Sequence, residues 1–259
     1  MKVVILCGGQ GTRLREETEF RPKPLVEIGG RPILWHIMKT FAHHGFNDFV
    51  LCLGYRGNMI KEHFLNYAAM NNDFTLRLGS REDIEYHGAH DEGDFRVTLA
   101  DTGLDSMTGA RVKLVERYID GPTFMLTYGD GLSDLDLRAL LEFHVRHGRL
   151  ATVTTVRPRS RFGILDLDDD GSVRRFAEKP TLDGWVSAGY FVFNRGVFDY
   201  LSADAHCALE QQPMEQLASQ GQLMAYRYEG FFYAMDTYRE FQFLNEEWRH
   251  GRAPWKAWR

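Results

Sequence analysis

The 259-residue sequence has few cysteines, no long apolar run and no long basic run. Its three cysteines cannot all pair, and Cys7 and Cys52 lie in apolar, strand-like runs, which favours buried thiols in a reducing compartment over disulfides. A membrane-spanning helix would need roughly 20 consecutive apolar residues, and the sequence has no such run. The first residues are typical of a strand rather than of a secretory signal. A net charge of −5 argues against a surface for nucleic acid. We therefore expect a cytoplasmic protein without a membrane segment or a nucleic-acid partner.

The sequence does contain an alternation of strands and helices over a hydrophobic fraction of 44%, which is enough for a substantial core. Apolar runs predict strands, and apolar residues at helical spacing predict helices between them. The predicted strands include Val3–Cys7, Asp48–Leu53, Phe74–Leu78, Phe95–Ala100, Thr123–Tyr128, Ala151–Val156, Ile164–Leu167, Val173–Phe176 and Trp185–Asn194. The predicted helices follow Pro32 up to Gly45, span Asn58–Met70 and Leu135–Val145, and begin near Thr237. This order predicts an α/β fold: a Rossmann-like, doubly wound mixed sheet with helices on both faces and a smaller β-rich extension.

No flexible linker or internal repeat divides the chain, so we expect a single domain over 1–259. Its first half runs to about residue 130, its second half covers about 131–236, and a C-terminal helix and tail cover 237–259. The tail holds three tryptophans, expected to pack against the body or a neighbouring subunit: Trp248, Trp255 and Trp258. The polar loop over 79–94 receives no functional assignment.

A glycine-rich loop after the first predicted strand is the strongest functional signal. It reads Leu6-Cys7-Gly8-Gly9-Gln10-Gly11-Thr12-Arg13, and is followed by Arg21-Pro22-Lys23-Pro24. Glycines let backbone amides approach a ligand, and successive amides form a nest for phosphate oxygens, to which Arg13 and Lys23 would add full charges. An ordinary β-turn is the alternative for the glycines alone. The dinucleotide motif and the phosphate-loop motif are excluded, because Pro22 and Pro24 interrupt an immediate helix and no lysine follows Gly11.

Two isolated carboxylates are candidates for a metal site. Asp130 follows an apolar strand between two glycines, and Asp236 precedes a predicted helix. Each has a plainer interpretation: a turn residue for Asp130, and a helix N-cap assisted by Glu240 for Asp236. However, strand ends in a doubly wound sheet point into the ligand crevice, and two carboxylates with phosphate oxygens suit Mg²⁺. Sequence spacing by itself does not bring the two residues together.

A second group of candidates lies in the second half. The segment Phe176-Ala177-Glu178-Lys179-Pro180 places an acid and a base at the end of a predicted strand. On the residues alone, a surface ion pair is the plainer interpretation of Glu178 and Lys179. In the next strand, Gly189 would let the backbone approach a ligand, and the ring of Tyr190 would stack on it.

The glycine loop, taken with Pro-Lys-Pro, resembles the signature of sugar-nucleotide pyrophosphorylases, also called nucleotidylyltransferases. The similarity runs nearly end to end and includes Gly54-Tyr55-Arg56-Gly57, Asp101-Thr102-Gly103, Ser106-Met107-Thr108-Gly109-Ala110-Arg111, Thr127-Tyr128-Gly129-Asp130-Gly131 and Ala253-Pro254-Trp255-Lys256. The block from Asp101 to Arg111 resembles the branch of this family that transfers a cytidylyl group to glucose 1-phosphate. Cys7 stands where the family usually has alanine, and Arg21 where lysine is common.

This resemblance implies CTP and α-D-glucose 1-phosphate as substrates, Mg²⁺ as cofactor, and a homo-oligomer that makes CDP-glucose for the dideoxyhexoses of surface polysaccharides. It implies a nucleotide-binding first half and a sugar-phosphate-binding second half that contains the β-rich extension. Arg13 and Lys23 would be catalytic. The implied nucleotide-binding residues are Leu6, Cys7, Gly8, Gly9, Gln10, Gly11, Thr12, Arg13, Lys23, Ser106, Arg111 and Gly129; the sugar-phosphate-binding residues are Tyr128, Glu178, Lys179, Gly189 and Tyr190; and the Mg²⁺ ligands are Asp130 and Asp236.

Two alternatives stay open. The protein could use UTP or dTTP with a hexose 1-phosphate, since a few hydrogen bonds decide the choice of base. It could also be a non-catalytic paralogue that binds nucleotide-sugars and regulates a partner. Such paralogues tend to lose the lysine or the metal-binding acids, and this sequence keeps Lys23, Asp130 and Asp236.

Overall fold

The computed structural model describes residues 1–79, 83–160 and 162–258. The strands are β1 (Lys2–Cys7), β2 (Glu27–Ile28), β3 (Arg31–Pro32), β4 (Asp48–Leu53), β5 (Phe74–Leu76), β6 (Ile84–Tyr86), β7 (Arg96–Asp101), β8 (Thr123–Tyr128), β9 (Gly131–Ser133), β10 (Ala151–Val156), β11 (Ile164–Leu167), β12 (Val173–Ala177), β13 (Val186–Asn194), β14 (Leu223–Arg227) and β15 (Phe232–Ala234). The α-helices are α1 (Arg15–Thr18), α2 (Ile33–His43), α3 (Gly57–Leu65), α4 (Tyr67–Asn71), α5 (Thr108–Leu114), α6 (Leu137–His147), α7 (Gln212–Ser219) and α8 (Tyr238–Arg249). Within these ranges no helix has the length and apolarity to cross a membrane.

A seven-stranded sheet forms the centre, with the order β14-β10-β13-β8-β1-β4-β7. Strand β13 is antiparallel to both neighbours, and the other pairs in this sheet are parallel. Alternate residues of β1 enter two core clusters, one shared with α2 and one shared with α5, so helices cover both faces. Burying a Val or Ile side chain stabilises a fold by about 1.5–3 kcal/mol, and all six residues of β1 are buried. The predicted doubly wound mixed sheet is confirmed, and the hairpin β11–β12 lies outside it as a separate two-stranded sheet.

The carboxyl ends of four parallel strands meet at one edge of this sheet. Leu6 in β1 lies beside Cys52 in β4 and Tyr128 in β8, and β7 continues the parallel register beyond β4. The loops that leave these strands therefore converge, and this edge is where doubly wound sheets form their ligand crevice.

Two local predictions differ from the structure. The helix predicted over 58–70 is divided at Asn66 into α3 and α4. The side-chain amide of Asn66 donates a hydrogen bond to the carbonyl oxygen of Glu62 at 2.9 Å. A local side-chain bond of this kind competes with continuation of the helix. The loop predicted over 79–94 contains strand β6, which pairs with β5, while residues 80–82 of that loop lie outside the described residues.

The C-terminal tryptophans pack around a buried histidine of α2. Trp255 is fully buried, and its Nε1–H donates to Nδ1 of His36 at 3.3 Å. His36 is also fully buried, and its Nε2–H donates to the carbonyl oxygen of Ile28 at 2.8 Å, which fixes the neutral tautomer. The rings of Trp248 and Trp258 lie 4.7 and 6.2 Å from the same imidazole, centroid to centroid. The tail therefore packs against the body of its own chain.

We expect acid to destabilise the fold through His36. Burial lowers the pKa of His36 from 6.5 to about 4, so between these values the unfolded chain binds a proton that the folded protein does not. This contribution to stability is full above pH 6.5 and is lost as the pH falls toward 4, by on the order of 3 kcal/mol in total.

The free energy of unfolding, measured in urea between about pH 7.5 and 4.5, should fall less steeply for His36→Gln than for the wild type. The exposed residue His206 supplies the control, since His206→Gln should keep the wild-type slope. Equal slopes for His36→Gln and the wild type would show that His36 does not cause the acid sensitivity.

Candidate active site

Lys23 lies at the centre of the site, in a stretch of chain whose backbone is constrained by two prolines. Pro22 is extended, and Pro24 fixes the backbone within a short 3₁₀ turn over Lys23–Leu25. The turn leaves only 8% of Lys23 exposed. Its Nζ donates to Oδ2 of Asp130 at 2.6 Å and to Oδ1 of Asp236 at 2.8 Å. The lysine and both carboxylates that the sequence singles out therefore meet at one point.

A short ribbon of two strands brings the two aspartates together from distant parts of the chain. Strand β9 pairs with β15, with Gly131 opposite Ala234. One step further along, the backbone N–H of Met235 donates to the carbonyl oxygen of Asp130 at 2.9 Å. Asp130 comes just before β9 and Asp236 just after β15, so both leave the ribbon at the same end and reach the same ammonium group.

The interpretation of Asp236 as a helix N-cap is wrong. The N-cap of α8 is Thr237, which forms a capping box with Glu240. The Glu240 carboxylate accepts the backbone N–H groups of Asp236 and Thr237, both at 2.8 Å. The carboxylate of Asp236 is thereby left for cations, and Oδ1 also accepts from the guanidinium of Arg13 at 2.9 Å.

The charges of this cluster balance, with two cations against two carboxylates. Burial opposes the charge of Lys23, but attraction to Asp130 and hydrogen bonds to Asp130 and Asp236 outweigh it and raise the lysine pKa. Lys23 is therefore an ammonium ion at neutral pH. Arg13 differs from it in being mostly exposed, with 69% of its side chain accessible beside its ion pair with Asp236.

The two carboxylates fit a magnesium ion. Both lie within 2.8 Å of one ammonium nitrogen, so they face a common point, and carboxylate oxygens are the ligands Mg²⁺ prefers. In the ranges that the structure describes, no group of three or more His, Cys, Asp or Glu side chains could hold a metal. A magnesium ion on Asp130 and Asp236 would therefore complete its shell with water and with oxygens of a substrate.

A cleft of about 350 Å³ opens beside this cluster at the carboxyl edge of the sheet. All but one of the predicted nucleotide-binding residues line it, and so do Tyr128 and Asp130; the exception is Gln10. Four lining residues were missed by sequence reasoning: Pro24, Met107, Thr108 and Glu210. Pro24, Met107 and Thr108 lie within the motifs that resemble the family, but Glu210 stands in no motif and only the fold brings it here.

Arg111 has a different place from the one expected of a nucleotide ligand. It is 5% exposed, and burial lowers its pKa. Its guanidinium donates to the hydroxyl of Thr102 at 2.8 Å and to the carbonyl oxygens of Gly8, Leu53, Gly103 and Leu104 at 2.7–3.2 Å. These groups belong to the ends of β1, β4 and β7 or to the loops after them. Arg111 therefore ties three strand ends together beneath the glycine loop.

The glycine loop is shaped around this arginine. A Cβ atom on Gly8 would lie 2.3 Å from the guanidinium of Arg111, and one on Gly54 would lie 2.5 Å from it. Gly9, the next residue in the loop, has nothing within 4 Å of the position its Cβ would take. The first glycine of the loop therefore serves close packing, whereas the second faces open space in the cleft.

The predicted sugar-phosphate residues are not gathered in this cleft, apart from Tyr128. Glu178 and Lys179 are exposed and form an ion pair with each other at 3.0 Å, and Lys179 has a left-handed backbone with φ of 47°. Gly189, with φ of 74°, leaves room for the ring of Tyr128, which a Cβ would approach to 2.3 Å.

The prediction that Tyr190 stacks on a hexose is wrong. Its side chain is 2% exposed and stacks on Phe41 in the core, with 6.1 Å between ring centroids. Its hydroxyl donates to the carbonyl oxygen of Gly131 at 2.9 Å. The run of apolar residues in β13 around Tyr190 already indicated a strand buried on both faces, and that signal outweighs the aromatic type of the residue.

Comparison with known proteins assigns the class. Residues 2–237 match the nucleotidyl transferase family model, and the chain belongs to this family. It is 49% identical over 260 residues to the glucose-1-phosphate cytidylyltransferases of Salmonella typhi and Salmonella typhimurium, with full coverage of both chains in each case. Among solved structures, HddC from Yersinia pseudotuberculosis superposes with a TM-score of 0.69 at 22% identity, covering 95% of this chain and 99% of HddC, which supports the fold.

We expect the two neighbouring glycines to respond differently to alanine. Gly8→Ala places a methyl group within the guanidinium of Arg111, and overpacking of this kind costs about 1–3 kcal/mol. Gly9→Ala is the matched control, since its methyl group meets no neighbour. The melting temperature should fall by roughly 2–10 °C for Gly8→Ala and stay near the wild-type value for Gly9→Ala. If Gly8→Ala melted like the wild type, Arg111 would not lie against the loop.

Proposed function

We propose that this protein transfers a cytidylyl group from CTP to α-D-glucose 1-phosphate and releases pyrophosphate and CDP-glucose. The full-length identity of 49% to two enzymes with this name supports the substrates. The observation that carries the proposal is the position of Lys23, held by Asp130 and Asp236 beside a glycine loop at the edge of the sheet. This arrangement places a lysine ammonium group and the amides of the glycine loop beside the cleft in which a nucleoside triphosphate would bind.

The reaction requires positioning and charge neutralisation more than proton transfer. An oxygen of the sugar phosphate attacks the α-phosphorus in line, the bond from that phosphorus to the bridging oxygen breaks, and pyrophosphate leaves. The attacking oxygen is already anionic, so no general base is needed. Backbone N–H groups of the glycine loop and the exposed guanidinium of Arg13 would hold the leaving phosphates. Lys23 would neutralise charge at the α-phosphate, an electrostatic contribution worth about 10²–10³ in rate.

Magnesium is part of this proposal. Asp130 and Asp236 would hold it, and when bound it would neutralise phosphate charge on the nucleotide. In the protein without nucleotide, Lys23 supplies the positive charge that both carboxylates require.

The second half of the chain would hold the sugar phosphate. Tyr128, at the end of the first half, already lines the cleft, and Lys179 with Glu178 would contact the phosphate and the hexose hydroxyls from the extension that carries β11 and β12. The strained backbone of Lys179 supports a functional role, since left-handed non-glycine residues cluster at ligand sites.

The proposal also covers assembly and cellular role. The hairpin β5–β6 places Phe74, Leu76, Ile84 and Tyr86 on one exposed face, in directly opposed pairs. Uncovered apolar faces of this kind mark protein contacts, which supports a homo-oligomer. We place the enzyme in the cytoplasm, where it would supply CDP-glucose for dideoxyhexoses of surface polysaccharides.

A nucleotide panel tests the function. Pyrophosphate release should be observed with CTP and glucose 1-phosphate, should stop when EDTA removes divalent metal, and should return with added Mg²⁺. Mannose 1-phosphate serves as the control for the sugar. Faster release with UTP or dTTP would reassign the base, and no release with any nucleotide would favour a regulatory protein that only binds nucleotide-sugars.

A further inference from the structure

We infer that Glu210 is the residue that selects cytosine over uracil, by accepting a hydrogen bond from the exocyclic N4 amino group of the base. This inference rests on the proposed use of CTP. Glu210 lines the same cleft as the glycine loop and Lys23, but it lies in the segment between β13 and α7, far from the glycine loop in sequence.

The Glu210 carboxylate is held in place from two separate elements. The hydroxyl of Tyr128, at the end of β8, donates to Oε1. The hydroxyl of Thr108, at the start of α5, donates to Oε2 at 2.5 Å and itself accepts the backbone N–H of Leu209 at 2.9 Å. Burial and the neighbouring Glu210 charge raise the pKa of Tyr128, so Tyr128 stays protonated and remains a donor. Both partners donate, so the carboxylate presents only acceptors to the cleft.

The segment that carries Glu210 is hydrogen-bonded to the first turn of α5, the helix that begins with Thr108. The backbone N–H of Met107 donates to the carbonyl oxygen of Ala205 at 2.8 Å, and that of Ala110 donates to the carbonyl oxygen of Cys207 at 3.0 Å. Gly109 permits this contact, since a Cβ there would lie 2.7 Å from the sulfur of Cys207. The position of Glu210 relative to the cleft is therefore set by α5.

Other groups of the cleft are less suited to read the N4 amino group. Two carboxylates line the cleft within the described ranges, Asp130 and Glu210, and Asp130 is bonded to Lys23 at the phosphate end. The guanidinium of Arg111 is turned to backbone carbonyls and can only donate. Glu210 is thus the anionic acceptor that remains for the base.

Cytosine and uracil differ at the position that a carboxylate distinguishes best. Cytosine carries an amino donor at C4, the partner that Glu and Asp accept from, whereas uracil carries a carbonyl oxygen. Against uracil, the carboxylate would face a second acceptor without a proton between them. The Glu210 carboxylate would therefore attract the cytosine of CTP and repel the uracil of UTP, and both effects favour CTP.

The test is the ratio of kcat/KM for CTP to kcat/KM for UTP. Glu210→Gln keeps the size of the side chain but offers an amide that pairs with either base, so the ratio should fall about 10- to 100-fold. Glu215→Gln, an exposed carboxylate on α7, is the matched control and should keep the wild-type ratio. Glu210→Asp retains the charge but withdraws it from the cleft, and its ratio should also fall. Equilibrium binding of CMP against UMP gives a readout independent of turnover.

The outcomes separate this inference from the proposed function. If the wild type prefers CTP but both Glu210 variants keep its ratio, the inference is overturned while the function stands. An equal loss with both nucleotides would place Glu210 on the ribose or in the fold and would also overturn it. If the wild type does not prefer CTP, the proposed function has failed first. Turnover of UTP by Glu210→Gln at or above the wild-type rate would show that the variant is folded and has lost only its selectivity.

Discussion

The site depends on one ammonium group shared by two carboxylates. Lys23 is largely buried, and a buried charge is tolerated only when it is paired and hydrogen-bonded. Asp130 and Asp236 satisfy it from the ends of two short strands, and those strands pair with each other. The three residues come from the start, middle and end of the chain, so the cluster is complete only when the whole domain is folded. The charged cluster and the tertiary structure are thereby linked in one contact.

Arg111 provides a second constraint beneath the first. It binds backbone groups at the ends of three parallel strands and passes between Gly8 and Gly54, which lack the side chains that would exclude it. The glycine loop is therefore packed on its inner side and open to the cleft on its outer side. A preorganised loop of this kind avoids the cost of ordering backbone amides when phosphate binds. The geometry of the cleft thus follows from packing inside the sheet edge.

Sequence reasoning predicted six of the seven strands of the central sheet, because strand periodicity is local, but it missed the edge strand β14. It also singled out the two carboxylates that meet at Lys23, because both stand in motifs. It failed where a residue's role depends on what lies across the fold. Tyr190 was expected to touch sugar but is buried, and the guanidinium of Arg111 bonds to backbone carbonyl oxygens although the residue lines the cleft. The N-cap alternative for Asp236 was also wrong, because the neighbouring Thr237 is the N-cap of α8. Glu210 was missed because its only signal is its distance from Tyr128 and Thr108, which no sequence spacing encodes.

The most direct test of the shared ammonium is Lys23→Met, compared with Lys2→Met. Lys2 is a matched control, 6% exposed and paired with Asp48 at 2.7 Å, but at the opposite end of β1. We expect Lys23→Met to lower kcat/KM by about 10²–10³-fold. Mg²⁺ without nucleotide should raise its melting temperature more than that of the wild type, because the two aspartates have lost the ammonium group that they share and keep only the exposed Arg13. Lys2→Met should lose stability and keep kcat/KM. Near-normal turnover by Lys23→Met, with the same response to Mg²⁺ as the wild type, would contradict the account.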